Sequence, residues 1–186
     1  MRSRPPFIER ALHSPRVAAW AERDLGWVRR LHRGVQSRAL ARVLVVASWL
    51  GDGIFWYALI AAVALAGGTD GRDIATQMVL AGLVNLTVYR WLKRTMSRPR
   101  PFSQCSDIRA CARTLDEFSF PSGHVLHAVT FTIILLNYYP HAGFALLPAI
   151  VLIALSRVVL GLHYLSDVAA GAAIGVVVAS LILALY

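Results

Sequence analysis

Five apolar stretches, each about twenty residues long, dominate the 186-residue chain. They run from about Val43 to Ala66, Ile74 to Leu92, Ser122 to Tyr139, Phe144 to Leu162 and Leu165 to Leu185. A helix of about 20 apolar residues crosses the hydrocarbon core of a bilayer. A soluble domain of this size could not bury a chain that is 57% hydrophobic. The sequence therefore predicts an all-α fold, a multi-pass transmembrane helical bundle of about five spans.

The cations of the chain, whose formal net charge is +9, are concentrated in two segments. Residues 1–42 and 93–120 carry an excess of arginine and lysine, whereas the connections at 67–73 and 140–143 do not. A nucleic-acid-binding protein would not thread its charges between lipid-soluble stretches, so the basic surface is expected to face anionic lipid headgroups. The positive-inside rule therefore places both basic segments on the cytoplasmic face of a bacterial inner membrane. The alternative is that the cations at 93–120 serve a functional site, which would need them on whichever face it lies.

Residues 1–42 differ in character from residues 43–186, which are predicted to form the transmembrane domain. Trp20, Trp27 and other apolar residues alternate with arginines in the first region, which predicts one or two amphipathic helices lying in the membrane interface. A basic tail, partly disordered in solution, is the alternative. We expect this region to serve contact with the membrane or the substrate more than chemistry.

A proline and a histidine bracket the start of the third span, in the run Pro121, Ser122, Gly123 and His124. A proline is tolerated at a helix start, where free N–H groups and the positive dipole end form an anion site. Gly123 would let a phosphate oxygen approach the backbone, and Ser122 adds a hydroxyl donor. Taken alone, the run is equally well a helix start with a chance histidine.

His163 and Asp167 lie four residues apart, so on a helix they would share one face. The carboxylate could then hold one imidazole nitrogen and leave the other as a nucleophile, or the pair could simply satisfy itself at a membrane boundary. Arg157, inside an apolar stretch, favours a function. A cation at that depth is costly, and a guanidinium matches the oxygens of a phosphate.

Lys93 and Arg100 follow the second span, and nearby prolines prevent a helix across that stretch. By themselves they would be ordinary snorkelling or positive-inside residues. The neighbouring cations are placed in that ordinary class: Arg90, Arg94 and Arg98.

The polar residues form one ordered pattern: Lys, six residues, Arg-Pro; then Pro-Ser-Gly-His; then Ser-Arg, five residues, His, three residues, Asp. The pattern resembles the three-part signature of the type 2 phosphatidic acid phosphatase superfamily, which includes membrane lipid phosphatases, soluble acid phosphatases and vanadium haloperoxidases. Every signature position matches within residues 93–167. Many membrane members have three spans before the lysine, whereas this sequence predicts two.

The resemblance implies a role for each matching residue. His163 would be the nucleophile that forms a phosphohistidine, oriented by Asp167, and His124 would protonate the leaving oxygen and then activate water. The phosphoryl oxygens would be held by five residues: Lys93, Arg100, Ser122, Gly123 and Arg157. The resemblance implies neither a metal nor another cofactor.

These features predict an integral membrane, metal-independent lipid phosphatase whose partners are a lipid phosphate and a bilayer with anionic lipids. Candidate substrates are phosphatidic acid, phosphatidylglycerophosphate, and polyprenyl phosphates or diphosphates. A lipid phosphotransferase with the same phosphohistidine is the first alternative. A vanadate-dependent peroxidase is disfavoured by the spans, and a non-catalytic lipid-binding protein by the intact signature.

The remaining polar residues carry weaker predictions. Asp52 could line the site, but it is interpreted as a helix break or a structural hydrogen bond. Asn85 is interpreted as an interhelical contact, and His127 as a packed core residue rather than part of the substrate path. Cys105 and Cys111 are the only cysteines; a disulfide and two unpaired thiols both fit their spacing, which matches no recognised metal motif.

Overall fold

The computed structural model describes residues 15–114 and 116–186, so the first fourteen residues of the predicted amino-terminal region lie outside the described part. Every regular element within these ranges is helical, which confirms the predicted all-α bundle. The elements are α1 Pro15–His32, a 3₁₀ turn at Arg33–Gln36, α2 Arg38–Leu50, α3 Gly53–Ala66, α4 Gly71–Met96, α5 Pro101–Gln104, α6 Gly123–Tyr138, α7 Pro140–Val159 and α8 Leu165–Leu185.

The predicted spans differ in how well they match single helices. Among the described residues, α7 and α8 are long and apolar enough to cross a membrane, and α2 and α3 meet the same criterion only as a pair bent by 52°. The first predicted span is therefore two helices, broken at Gly51 and Asp52, where the apolar stretch is interrupted. Because α2 already begins at Arg38, the predicted boundary after residue 42 falls inside a helix.

α4 buries both polar and apolar side chains in the bundle and exposes apolar ones as well. Gln77, Asn85 and Lys93 are buried, whereas Val79 and Leu83 are exposed. Thr130 Oγ1 of α6 donates to Asn85 Oδ1 at 3.4 Å, so the predicted interhelical contact of Asn85 is present. These buried polar residues and the cations near its end lower the mean hydropathy of α4, and this is why composition alone does not identify it as a span.

α6 is the central helix and packs against α4, α7 and α8. Its Phe131 and Ile134 lie in the main apolar core with residues of all three neighbours. α8 approaches the start of α6 closely: a Cβ added to Gly171 would lie 2.6 Å from Ser122 O, and one added to Gly175 would lie 2.7 Å from Leu126 O. These glycines allow the backbones of the two helices to meet beside the polar clusters.

α1 lies across the adjoining ends of α7 and α8. Val28 is fully buried on its inner side and packs with Ile108 and Tyr164, whereas Trp20 and Trp27 are exposed on its outer side. Amphipathic packing of this kind holds the helix to the bundle while leaving its indole rings outside. In the loop beneath it, Cys105 and Cys111 are free thiols.

Candidate active site

The three polar clusters converge at one end of the bundle. The second cluster is tied to the third because Ser122 N donates to Asp167 O at 3.0 Å. Within the third cluster, His163 N donates to Arg157 O at 2.9 Å. A cavity at this end is lined by five of the eight predicted site residues: Arg100, Gly123, His124, Arg157 and His163. The other three lie behind its wall, as shown by their contacts below. The structure therefore brings all eight together.

His163 lies in the short turn between α7 and α8 and is buried. Its Nε2 is 3.3 Å from Arg100 Nη1, and its Nδ1 is 3.5 Å from Asp167 Oδ2. A guanidinium can only donate, so Nε2 carries the lone pair and the proton is on Nδ1, facing the carboxylate. This tautomer leaves Nε2 as the nitrogen that could attack phosphorus.

The charge state of His163 follows from its surroundings. Burial lowers the pKa of the imidazole well below its usual value of 6.5, and the cations Arg157 and Arg100 lower it further. The ring is therefore neutral at physiological pH, which is the state in which an imidazole is nucleophilic.

Asp167 is completely buried near the start of α8. Its Oδ1 accepts from Arg98 Nη1 at 2.7 Å, and its Oδ2 accepts from Tyr164 N at 2.9 Å. The interpretation of Arg98 as an ordinary surface cation is wrong, because this guanidinium also contacts Ser166 and Asp24. Its side chain turns inward to meet two carboxylates that the sequence places far away along the chain.

A second histidine–carboxylate pair faces the same cavity. His124 Nε2 lies 2.8 Å from Asp52 Oδ1 in the break between α2 and α3. Asp52 occupies the N-cap position of α3, yet its side chain makes no capping hydrogen bond. Gly51 leaves room for the pair, since an added Cβ would lie 2.8 Å from His124 Cδ2. Asp52 is thus both the predicted helix break and a residue that orients the imidazole of His124.

Replacing Asp52 by Asn should lower kcat about 10- to 100-fold. This magnitude is taken from metal centres, where carboxylates that orient a metal-bound imidazole have effects of this size. The amide cannot stabilise a positive charge on His124, whereas the cations predicted to bind phosphate make no hydrogen bond to Asp52, so KM should change little. Steady-state kinetics of the predicted phosphate release measures both constants. Asp73→Asn, an exposed carboxylate of α4, is the matched control, and equal rates for the two variants would remove this role of Asp52.

Asp116 holds the two cations of the first cluster. Lys93 Nζ and Arg100 Nη2 each lie 2.7 Å from Asp116 Oδ1, and Tyr89 Oη donates to Asp116 Oδ2 at 2.6 Å. Lys93 also donates to Phe118 O. Burial raises the pKa of Asp116, but Lys93, Tyr89 and Arg100 together outweigh it and lower this pKa from 3.8 to about 2. A phosphate bound here would share both cations with this carboxylate.

The low pKa of Asp116 predicts a pH-dependent contribution to stability. A carboxyl with a pKa of about 2 in the folded protein and 3.8 otherwise stabilises the fold above pH 4, and this contribution is lost as the pH falls from about 4 to about 2. Asp116→Asn should therefore lower the Tm in detergent at pH 6, and its difference from wild type should shrink towards pH 3. A difference independent of pH would contradict the assignment; Asp107→Asn, an exposed carboxylate, is the control.

Two of the predicted phosphate ligands have donors that the described part of the chain leaves unused. Arg157 is 1% exposed, and its Nη1 donates to Ser48 Oγ. Within the described ranges, neither Arg157 Nε nor Ser122 Oγ has a hydrogen-bond partner. Buried donors of this kind are costly unless a ligand uses them, and an oxoanion is a ligand that a guanidinium and a hydroxyl can both bind. Gly123 has a packing role as well, since an added Cβ would lie 2.9 Å from Tyr89 Cε2.

The cavity has a volume of about 770 Å³ and changes from polar to apolar along its length. Away from the clusters it follows α3 and α4 as far as Arg72. Its walls here are mostly apolar side chains: Trp56, Ile60, Met78, Val79, Leu83, Leu86 and Phe131. His127 also lines the cavity, although its Nδ1 is 2.9 Å from Gly123 O. His127 thus packs against Phe131, as expected of a core residue, and also reaches the wall of the cavity.

Comparison with known sequences identifies the family of the chain. The sequence profile of the PAP2 superfamily matches residues 73–186, more than half of the chain. The chain belongs to the PAP2 superfamily. It is also 35% identical over 108 residues to lipid phosphate phosphatase delta from Arabidopsis thaliana, a match that covers 48% of this chain and 26% of that protein. The chain thus spans about a quarter of the length of its plant relative.

Two solved structures share the fold of this PAP2 protein. The transmembrane PAP2 type phosphatidylglycerolphosphate phosphatase from Bacillus subtilis matches with a TM-score of 0.69 and 23% identity, covering 96% of this chain and 90% of that one. LpxE from Aquifex aeolicus matches with a TM-score of 0.76 and 24% identity, covering 86% and 94%. At these identities the likeness establishes the fold. Together with the apolar helices, it makes the protein an integral membrane protein.

Three polar residues at the site were not predicted from the sequence to serve it. Asp52 carries a usable signal, because a carboxylate within an apolar stretch is rare without a function. Arg98 and Asp116 carry none, since both stand in a loop rich in charged residues. Only the tertiary structure shows that they meet Asp167 and the Lys93–Arg100 pair.

Proposed function

We propose that this PAP2 protein hydrolyses a phosphomonoester or diphosphate of a lipid through a phosphohistidine formed on His163. The observation that carries the proposal is the position of this imidazole. His163 lines the cavity, its Nδ1 lies 3.5 Å from Asp167 Oδ2, and its Nε2 lies 3.3 Å from Arg100 Nη1. An oriented, unprotonated imidazole next to fixed cations is the arrangement that attack on a phosphoryl group requires.

The proposed reaction has two displacements. First, His163 Nε2 attacks phosphorus, the bond from phosphorus to the lipid oxygen breaks, and His124 gives that oxygen a proton. Then His124 takes a proton from water, the water oxygen attacks phosphorus, and the phosphorus–nitrogen bond breaks to release phosphate. Asp167 stabilises the positive charge of the phosphorylated ring. Because Asp52 holds Nε2 of His124, we assign the proton transfers to Nδ1 of that ring.

Charge on the phosphoryl group would be balanced by the protein alone. Lys93, Arg100 and Arg157 supply three cations, and Ser122 with the first N–H groups of α6, including that of Gly123, supplies neutral donors. In the loose transition state of phosphoryl transfer, positioning and charge stabilisation do most of the work, so these groups can serve without a metal ion.

The apolar cavity supports a lipid as the substrate. Between Arg72 and Tyr89, two of its lining residues, α4 rises about 25 Å at about 1.5 Å per residue. That length accommodates an acyl or prenyl chain whose headgroup reaches His163. Phosphatidic acid, phosphatidylglycerophosphate and polyprenyl phosphates or diphosphates all fit this description. We place the site on the cytoplasmic face of a bacterial inner membrane, because the basic segment before α3 and the basic 93–120 loop share that side.

Phosphate release from a panel of these lipids tests the proposal. The purified protein is assayed in detergent beside His163→Ala, with EDTA in one arm and with glycerol as an acceptor in another. Release that EDTA does not change and that the variant lacks would support a metal-independent phosphatase. A phosphorylated acceptor in place of free phosphate would identify a phosphotransferase. No turnover of any lipid in either arm would overturn the proposal.

A further inference from the structure

Arg98 joins two carboxylates that come from different ends of the chain. Its Nη1 donates to Asp167 Oδ1 at 2.7 Å, and its Nη2 donates to Asp24 Oδ2 at 2.9 Å. The guanidinium carbon also lies 3.7 Å from the centre of the Tyr164 ring. A planar guanidinium held by two carboxylates and an aromatic face has little freedom to turn. Arg98 therefore presents its Nη1 to Asp167 in one fixed position.

Asp24 is the only part of this arrangement that belongs to α1. It is 6% exposed, and both of its oxygens are used by groups outside α1. Oδ1 accepts from Ser166 N at 3.3 Å, and Oδ2 accepts from Arg98 and from Ser166 Oγ. Burying a carboxylate destabilises a protein unless the carboxylate is paired. If this position served packing alone, an apolar side chain would stabilise the fold more than Asp24 does.

The packing of α1 holds Asp24 in place. Val28, one turn further along, is fully buried against Ile108, Val158 and Tyr164. At the end of the helix, His32 Nδ1 lies 2.9 Å from Val159 O. α1 is thus anchored to the end of α7 and to the turn that carries His163, which makes Asp24 a fixed point.

We propose that Asp24 and Arg98 are positioning residues through which α1 sets the orientation of the Asp167 carboxylate. Arg98 occupies Oδ1 of Asp167, and Tyr164 N binds Oδ2 on the side of His163. The carboxylate is then kept from rotating, and Oδ2 stays 3.5 Å from His163 Nδ1. This inference rests on the proposed role of His163 as the nucleophile. It also replaces the expectation that the amino-terminal region serves membrane contact more than chemistry.

The kinetic consequence is a loss in kcat with little change in KM. If Arg98 loses Asp24, Asp167 can rotate and the charge that develops on His163 is less well stabilised, whereas the groups that bind phosphate remain. Outer groups that orient a reactive imidazole are worth about 10- to 100-fold at metal centres. We therefore expect kcat to fall about tenfold in Asp24→Asn, with KM within about twofold of wild type.

The test is a double-mutant cycle on the full chain, with dioctanoyl phosphatidic acid in detergent as the substrate. Asp24→Asn, Arg98→Gln and the double variant are compared with two controls at exposed charges nearby, Glu22→Gln and Arg94→Gln. If Asp24 acts through Arg98, the double variant should be no slower than Arg98→Gln alone, and Asp24→Glu should recover part of kcat. A merely structural role would not produce this pattern in kcat at matched Tm.

Each result decides the inference. Wild-type kcat in Asp24→Asn, or a double variant whose loss is the product of the two single losses, would overturn it. If Asp24→Asn does not fold, Arg98→Lys takes its place, because a single ammonium cannot reproduce the fork that binds both Asp24 and Asp167; unchanged kcat there would have the same meaning. A wild-type protein that releases no phosphate would overturn the proposed function, and this inference with it. An active wild type with one of the results above would overturn this inference alone.

Discussion

His163→Ala is expected to abolish both phosphate release and covalent phosphate labelling of the protein. Removing a nucleophile from a preorganised site can cost about 10⁶-fold in kcat, since the route through the covalent intermediate is lost. The cavity keeps Arg157 and Arg100 in this variant, and Lys93 stays behind its wall, so lipid phosphate should still bind. The expected signature is therefore near-zero turnover with binding retained.

Rapid-quench trapping with a labelled lipid phosphate measures the intermediate directly. Equilibrium binding of the same lipid measures the affinity that the variant retains. His141→Ala is a suitable control, because this exposed histidine lies at the start of α7, away from Arg157 in its last turn. A labelled His163→Ala protein would place the intermediate on another side chain. Turnover near wild type would show that water attacks phosphorus directly.

The positions of the three clusters could be predicted from the sequence because each is specified locally. The helix start at Gly123 and the spacing from His163 to Asp167 depend only on neighbours along the chain. Local patterns also identified α7 and α8, whose apolar character is uniform. Such features survive folding because the bilayer requires a helix wherever a long apolar segment occurs.

Features that depend on contacts between distant segments could not be predicted in this way. The apolar stretch around Asp52 has the composition of one span, and the 52° bend arises where Asp52 turns to meet His124. Asp24 and Arg98 lie in segments rich in charged residues, where a single charge does not indicate a specific contact. They are also 74 positions apart along the chain. Their pairing follows from the docking of α1, which is a property of the packed bundle.

Asp167→Asn is expected to lower kcat about 10⁴-fold, the loss found when the carboxylate that orients a catalytic imidazole is made an amide. An amide offers one oxygen acceptor where the carboxylate offers two. Asp167 now accepts from Arg98 on Oδ1 and from Tyr164 N on Oδ2, so Asn must give up one of these bonds. Its NH₂ group would then face either the Arg98 guanidinium or the Nδ1–H of His163, and the latter favours the wrong tautomer.

The loss in Asp167→Asn should appear in kcat and leave KM nearly unchanged. The side chain does not line the phosphate-binding end of the cavity, and its backbone oxygen keeps the bond from Ser122 N at 3.0 Å. Steady-state kinetics beside Asp107→Asn, an exposed carboxylate, separates the two constants from a general effect of removing charge. A rise in KM at constant kcat would instead make Asp167 a support for the phosphate site. A loss below tenfold would mean that burial and the cations around His163 already fix its tautomer without the carboxylate.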